Sequence, residues 1–420
     1  MNETPFPLPE EFYEFIKSHA NEDPTRLRLE FHSKPMSFDV EFAITQIECR
    51  RKFAKKLPSL VADPHFVFPS VVAGEQSTNE FVAKFHVGLI GDDDAAKPAN
   101  VIDMTAGLGV DAISFARAGH SVMAIELDLL KQQCLLHNAK SLELPDLRAV
   151  CADSTHLFAT PTFDSGDIIF IDPHRRDAKG GRVYGLKDCL PDVTEMLPRW
   201  AGSKARVFLK LSPMLDIEQT LRDLPNAKNV WVVCFKGECK EVLVETGLGG
   251  QIPDAPTDSR EVMLTAVDLN ESGVVSEFTC SYEFSRIATP CLTDKTEIEP
   301  GNYLYIPSAG VMKLGAWGAL CARFPGLYKL SASTPLFVSS WIYRTFPGKV
   351  LTIDRFLGSS DLKRMKGERM TVISRNYPLT ADQIRKKVAL KEGEDRTLVG
   401  CRIGNSATPT LMVCSKPDLE

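Results

Sequence analysis

No apolar run in this sequence approaches the roughly 18 residues that a membrane-spanning helix needs. The first twenty residues carry Pro5, Pro7 and Pro9 among acids, where a secretory signal would place a basic start and an apolar stretch. The expectation is a cytoplasmic protein with no membrane partner. The eleven cysteines, spread from Cys49 to Cys414, contain no C-x-x-C pair; this speaks against a zinc knuckle and, with the odd count, against a disulfide framework, so no metal is expected. Positive charge is not in excess either: 49 Lys and Arg face 55 Asp and Glu, a net charge of -6, and the chain as a whole does not present itself to a polyanion. Repeats and low-complexity segments are absent. What remains is a chain of 420 residues, 44% hydrophobic and 25% charged, with an ordinary soluble composition and room for roughly two to four domains.

The pattern changes character along the chain. From Phe6 to about Ile90 it is helical, with amphipathic stretches at Phe42–Leu57 and Glu80–Ile90 broken by Pro64–Pro69; residues 1–95 read as an N-terminal helical cap. From Asn100 short apolar runs alternate with helical ones: ANVIDM, VDAISFARA, SVMAIEL, DLLKQQCLLHNAKSL, LRAVCAD, DIIFIDP. Such alternation means an α/β fold, a parallel sheet with helices on both faces. In NVWVVCFKGECKEVLVETG two β-rich runs flank Lys236, Gly237 and Glu238 with no room for a crossover helix, so the sheet ends in an antiparallel hairpin. We place the core at 96–278, a small α+β unit at 279–324 and a C-terminal α+β domain at 325–420, with short strands and a helix at Ala381–Ala389.

The strongest motif is DMTAGLGVD, Asp103 to Asp111, between an expected strand and an expected helix. Gly107 and Gly109 let the backbone turn sharply and approach a ligand closely. The turn also satisfies the nicotinamide fingerprint G-x-G-x-x-A, with Glu126 near the ribose-binding position. Its acids argue otherwise: a pyrophosphate prefers bare N–H groups at a helix start, whereas Asp103 and Asp111 suit the sulfonium and ammonium of S-adenosylmethionine. The expected cofactor site comprises Asp103, Thr105, Ala106, Gly107 and Gly109 of the turn, Glu126 and Leu127 after the second strand, and Asp153 and Ser154 after the third. Glu126 is placed for the ribose hydroxyls and Asp153 for the adenine amino group, or for a helix cap.

The segment IIFIDPHRR, Ile168 to Arg176, lies at the carboxyl end of the fourth strand, the edge where open α/β sheets bind substrates. It resembles the (D/N)PP(Y/F) motif of amino-methyltransferases acting on nucleic-acid bases. The resemblance implies that the Asp172 side chain and the Pro173 carbonyl accept hydrogen bonds from an exocyclic amine. His174 stands where that motif has a second proline and Arg175 where it has an aromatic ring. His174 is then a candidate base, and Arg175 and Arg176 hold a phosphate or a base face, or pair with acids such as Asp177. Cys189 invites comparison with cysteine-dependent pyrimidine methylation, but among eleven scattered thiols one falls near any motif by chance. Lys210 and Ser212, in FLKLSPM, either face the target or cap the next helix.

The C-terminal part segregates charge. From Arg355 to Lys391 ten Lys and Arg face three acids, a local balance of +7, a density that suits phosphate contacts. The candidate RNA-binding residues are Lys363, Arg364, Lys366, Arg375, Arg385, Lys386 and Lys387, together with Arg176. Asn376 and Tyr377 add an amide and a ring of the kind used to hold looped RNA. A solvated basic face is the alternative.

Taken together, QIECRRKFAKKLP, GEQSTNE, DMTAGLGVD, DPHRR, KLSPM, NYLYIPSAGVMKLGA, SRNYPL and IRKKVALKEG resemble a family of bacterial class I methyltransferases, Rossmann-like, with a small ferredoxin-like domain and a THUMP-like C-terminal domain. The resemblance implies S-adenosylmethionine as cofactor and a structured RNA, tRNA or rRNA, as substrate. The DMTAGLGVD turn is also similar to that of a ribosomal-RNA guanine N2-methyltransferase. Two alternatives stay open: a methyltransferase for a protein or small metabolite, and a catalytically inactive, cofactor-sensing RNA-binding protein.

Overall fold

The structure, a computed structural model, describes residues 5–91, 98–158, 163–175, 185–248 and 261–417. Two compact units divide the chain: Met1–Lys228 with Val242–Asp254, and Asn229–Glu241 with Ala255–Glu420.

The first unit begins with helices Glu10–Ser18, Pro24–Phe31, Val40–Phe53, Pro58–Ala62, Val71–Gln76 and Glu80–Ile90. Asp23, Asp39, Ser70 and Asn79 each cap one of them by accepting a first-turn N–H. The apolar faces of the first three meet in a core that includes Phe12, Leu27, Phe42, Ile44 and Ile47. The buried segment Phe66–Phe68 has extended-chain needs without a neighbouring strand, and side chains meet them. Gln46 exchanges two hydrogen bonds with the Phe68 backbone at 2.7 and 2.9 Å, and Asn138 does the same for Val67 at 2.8 and 2.9 Å. Arg50 donates to the carbonyls of Val61, Asp63, Pro64 and Phe66. Buried backbone must be paired, which explains why the Gln46–Pro58 segment carries an amide and a guanidinium on a buried helix.

The following strands are β1 (Asn100–Asp103), β2 (Ser121–Glu126), β3 (Leu147–Cys151), β4 (Asp167–Ile171), β5 (His174–Arg175), β6 (Cys189–Leu190), β7 (Arg206–Leu211), β8 (Ala227–Phe235), β9 (Glu238–Gly247), β10 (Met263–Asn270) and β11 (Gly273–Ser281). In the first unit the order is β9-β7-β4-β1-β2-β3, parallel except for β9. From β1 the chain winds outward to β3 and returns to β4 on the other side of β1. The loops after β1 and β4 therefore open at the switch point where such sheets take ligands. Both faces are covered, and Val101, Ile169, Phe170, Val207 and Phe208 are fully buried.

Between β8 and β9, Lys236 (φ 53) and Gly237 (φ 75) supply the two positive-φ positions of a tight hairpin turn. The sequence reading ends the sheet at this hairpin. In the second unit β10 runs parallel to β8 and β11 antiparallel to β10, which covers backbone that β8 would otherwise leave as an open edge.

The second unit also holds β12 (Tyr303–Pro307), β13 (Tyr328–Ser331), β14 (Thr334–Ser339), β15 (Gly348–Phe356), β16 (Thr371–Ser374), β17 (Arg396–Ile403) and β18 (Thr408–Ser415). They form one sheet in the order β13-β14-β12-β15-β18-β17-β16, in which β16 and β17 are parallel. Met370, Ile384, Leu398 and Leu411 make a core with helix Ala381–Val388. A second helix, Ser359–Arg364, is too short to show a hydrophobic period in the sequence. No helix of the described residues is long and apolar enough to cross a membrane.

Candidate active site

Asp103 ends β1, and its carboxylate accepts the Thr105 N–H at 3.1 Å. The chain then passes through Gly107 (φ 57) and Gly109 (φ 85), left-handed values that glycine adopts without steric cost. Gly109 has a second constraint, because a Cβ there would stand 2.3 Å from Leu135 Cδ1. Helix Val110–Arg117 starts at once. Asp103 is 2% exposed; burial, and after it the charge of Asp111, push its carboxyl up to about 8. Other hydrogen bonds tie the turn to its neighbours: Ala106 N–H to Ile125 O at 2.9 Å, Met104 N–H to Phe170 O at 2.9 Å, and Asp172 N–H to Thr105 Oγ1 at 2.7 Å.

Glu126 ends β2 with both carboxylate oxygens held by backbone donors, Gly107 N–H on Oε2 and Asp128 N–H on Oε1, each at 2.9 Å. The second lone pairs of those oxygens remain for a pair of hydroxyls. The next residue, Leu127, is 71% exposed. Asp153 caps helix Ser154–Leu157 and accepts from Thr155 Oγ1 at 2.6 Å and Thr155 N–H at 2.9 Å; the hydroxyl contact is the main reason its carboxyl lies below the usual range. Ser154 is buried behind it.

On the other side of the turn, Asp172 follows β4 and is ion-paired with Lys210 of β7. Lys210 Nζ also donates to Thr78 Oγ1 at 2.9 Å. Thr78 in turn donates to Asp111 Oδ2, and His86 Nδ1 lies 2.8 Å from Asp111 Oδ1. Burial alone would raise the Asp111 carboxyl, but the His86 hydrogen bond, the charges of His86 and Lys210, and the Thr78 hydroxyl together bring it below its ordinary value.

Pro173 is buried and His174 exposed. His174 and Arg175 pair with Leu190 and Cys189 in the ribbon β5–β6. The Arg175 side chain, Arg176 and Asp177 lie outside the described residues. Cys189 is a buried thiol. Ser212 accepts the Met214 N–H at 3.3 Å, and the next helix is capped by Asp216. Thr78 and His86, which reach the site from the helical region, escaped the sequence reading; the one signal for Thr78 was its place in the GEQSTNE segment.

Residues 99–244 match the family model described as RNA cap guanine-N2 methyltransferase, residues 303–347 a ferredoxin-like domain and residues 355–416 a THUMP domain-like module. A crystal structure from Porphyromonas gingivalis, described as a "putative methyltransferase", superposes with a TM-score of 0.80 and 26% identity over 97% of this chain and 98% of that one. The chain is a class I S-adenosylmethionine-dependent methyltransferase. A T. Thermophilus 16S rRNA N2 methyltransferase in complex with AdoMet and guanosine has a TM-score of 0.29 and 17% identity over 39% of this chain and 42% of that one. No curated protein matches at a significant level.

The turn of this methyltransferase fits its cofactor. Burial raises the Asp103 carboxyl to about 8, so its anion is the form that a cationic group beside it would stabilise, whereas a diphosphate would disfavour that anion and meet Asp111 as a like charge. Two glycines leave the backbone bare, and an oriented carboxylate stands at the end of β2 beside an exposed leucine. Asp103, Gly107, Gly109 and Glu126 would hold the ammonium, the backbone-facing edge and the ribose. Among the described residues no group of three or more His, Cys, Asp or Glu is placed to hold a metal.

In the THUMP-like region, Lys363, Arg364, Lys366, Arg375, Lys386 and Lys387 are exposed and make no ion pair among the described residues. Arg385 is shared between Asp382 at 3.6 Å and Glu392 at 3.5 Å. Asn376, at φ 55, donates to Ser333 Oγ at 2.8 Å and Thr334 Oγ1 at 3.1 Å, so it shapes its turn. A cavity of about 550 Å³ beside it is lined by Ile373, Arg375, Tyr377, Pro378 and Leu379.

Proposed function

We propose that this methyltransferase methylates an exocyclic amine of a base in a structured RNA, tRNA or rRNA, in the cytoplasm, with guanine N2 as the target. The hydrogen bond from Asp172 N–H to Thr105 Oγ1, 2.7 Å long, carries the reading: it ties the amine acceptor to the cofactor turn, so target nitrogen and methyl donor are set in one register. The match of residues 99–244 to a guanine-N2 methyltransferase model supports the choice of amine. S-adenosylmethionine, when bound, supplies a methyl group already activated on a sulfonium.

The chain's task is then orientation. The Asp172 carboxylate accepts one N–H of the amine and the Pro173 carbonyl the other, which turns the nitrogen lone pair toward the methyl group. As nitrogen gains the methyl it gives up one proton, for which Asp172 is the adjacent acceptor. The exposed lysines and arginines of the THUMP-like domain hold the RNA through its phosphates.

The test is transfer of labelled methyl groups to total RNA from a deletion strain, followed by nucleoside mass spectrometry. A labelled N2-methylguanosine supports the reading, and RNA in which no nucleoside gains mass overturns it. Full methylation by Asp172→Ala would remove Asp172 from its role.

A further inference from the structure

We propose that Lys210 is the positioning residue for Asp172, and that Thr78, backed by Asp111 and His86, is the mount that keeps Lys210 on that carboxylate. The inference rests on Asp172 as the acceptor of the target amine. In the β4–β7 register Ile171 pairs with Leu209, so Asp172, just past the end of β4, stands beside Lys210, which is still held in β7 by its pairing with Leu243 of β9. The Lys210 side chain is 11% exposed. A lysine is a flexible point charge, and two further acids, Asp103 and Asp111, are buried nearby as competing partners.

Thr78 settles that competition through hydrogen-bond direction. An ionised Asp111 accepts only, so Thr78 O–H and the Nδ1–H of His86 must both donate to it. The Thr78 oxygen is then left as an acceptor, and Lys210 fills it at 2.9 Å. His86 is itself fixed, since Arg206 of β7 donates to Leu89 O at 3.1 Å and Ile90 O at 3.3 Å at the end of the same helix and to Glu245 at 2.8 Å. The helical region thus supplies the target side of the site with a rigid support.

Among the described residues, Lys210 from β7 is ion-paired with Asp172, and the charge of Asp103 from β1 also acts on it. A negative charge on Asp103 disfavours the Asp172 anion, and the Lys210 cation favours it. Paired, Asp172 stays an anion with lone pairs for the amine; unpaired, it holds a proton to higher pH and loses acceptor capacity.

The experiment compares full-length wild type with Lys210→Met, Lys210→Arg, Thr78→Val and Thr78→Ser. It measures methyl transfer to RNA against pH and cofactor binding by calorimetry. For Lys210→Met we expect kcat to fall at least about tenfold, cofactor Kd to stay within about threefold, and the acid limb of the rate profile to move up by about one pH unit. Arginine should restore most of the rate; Thr78→Val should give a weaker version of the same shift and Thr78→Ser none. Wild-type kcat with an unmoved acid limb in Lys210→Met, or in a well-folded Thr78→Val, overturns the proposal. Wild type that methylates no RNA defeats the target reading, and the ammonium resonance of nitrogen-15-labelled Lys210 then decides the mount. A signal that is protected in wild type and lost in both Asp172→Asn and Thr78→Val upholds it; a signal unchanged in both overturns it.

Discussion

Charge is held in one way around the β1 turn and in another on the THUMP-like surface. Asp103, Asp111, His86 and Thr78 are buried, Lys210 nearly so, and named partners surround each of them. Lys363, Arg364, Lys366, Lys386 and Lys387 stand in solvent with no ion pair among the described residues. In the first region the surroundings screen poorly, so removing one partner strands the rest. In the second, water screens each charge and its effect is small, graded and additive over contacts with a polyanion. Substitutions should therefore act as a step in one region and as a slope in the other.

The sharpest step is expected at Asp111. Asp111→Ala leaves the His86 and Thr78 donors without their common acceptor and removes an anion whose charge Lys210 balances. Breaking a buried pair of this kind costs about 3–5 kcal/mol, which urea denaturation would read as a large fall in midpoint at unchanged slope. A variant as stable as wild type would mean that the buried cluster is as well screened as the surface.

Asp103 comes next, and its effect has a sign that depends on pH. Its carboxyl is raised to about 8 in the folded protein, so between about pH 4 and 8 the native state binds more protons than the unfolded chain. Stability without cofactor therefore falls as pH rises through that window. Asp103→Asn removes the penalty: at pH 8.5 the cofactor-free variant should melt above wild type, and the advantage should shrink as pH drops toward 4. The same change should weaken cofactor binding about ten- to hundredfold, roughly 1.4–2.8 kcal/mol. Wild-type affinity should increase as pH rises through about 8, because a cationic ligand prefers the ionised acid. Calorimetry showing constant affinity from pH 6 to 9 would contradict this.

Gly109→Ala is expected to cost about 1–3 kcal/mol, since the new Cβ meets both a φ of 85° and the Leu135 side chain. Thermal unfolding with and without cofactor reads the cost. An equal melting temperature and equal cofactor shift would show that the turn adapts more readily than its packing indicates.

What could be read from the sequence was local. The glycine turn declares itself because strand, turn and helix follow one another within a few residues. Helix Glu80–Ile90 is marked by its amphipathic pattern, and the hairpin by the short stretch at Lys236 and Gly237. The support of the site is built from distant residues. Thr78 and His86 meet Asp111 across 33 and 25 positions, Lys210 meets Thr78 across 132, and Asn138 serves Val67 across 71. No periodicity carries such pairings, because each depends on which helix the sheet brings alongside. The same holds for Arg385, a candidate phosphate ligand by composition that Asp382 and Glu392 share in the fold.

The smallest effect tests the slope. Ile384 and Val388 bury one face of helix Ala381–Val388, which fixes Lys386 and Lys387 on the solvent side, so Lys386→Ala should leave stability within about 0.5 kcal/mol of wild type. RNA affinity should drop modestly, and the log–log dependence of affinity on salt should lose about 1 in slope for each lysine that neutralises a phosphate. The double variant at Lys386 and Lys387 should therefore lose about 2, with the methylation rate at saturating RNA unchanged, because the catalytic groups are untouched. An unaltered salt slope in the double variant would reduce this helix to a solvated face and move the grip on RNA to the other exposed cations, Lys363, Arg364 and Lys366, where the same measurement applies.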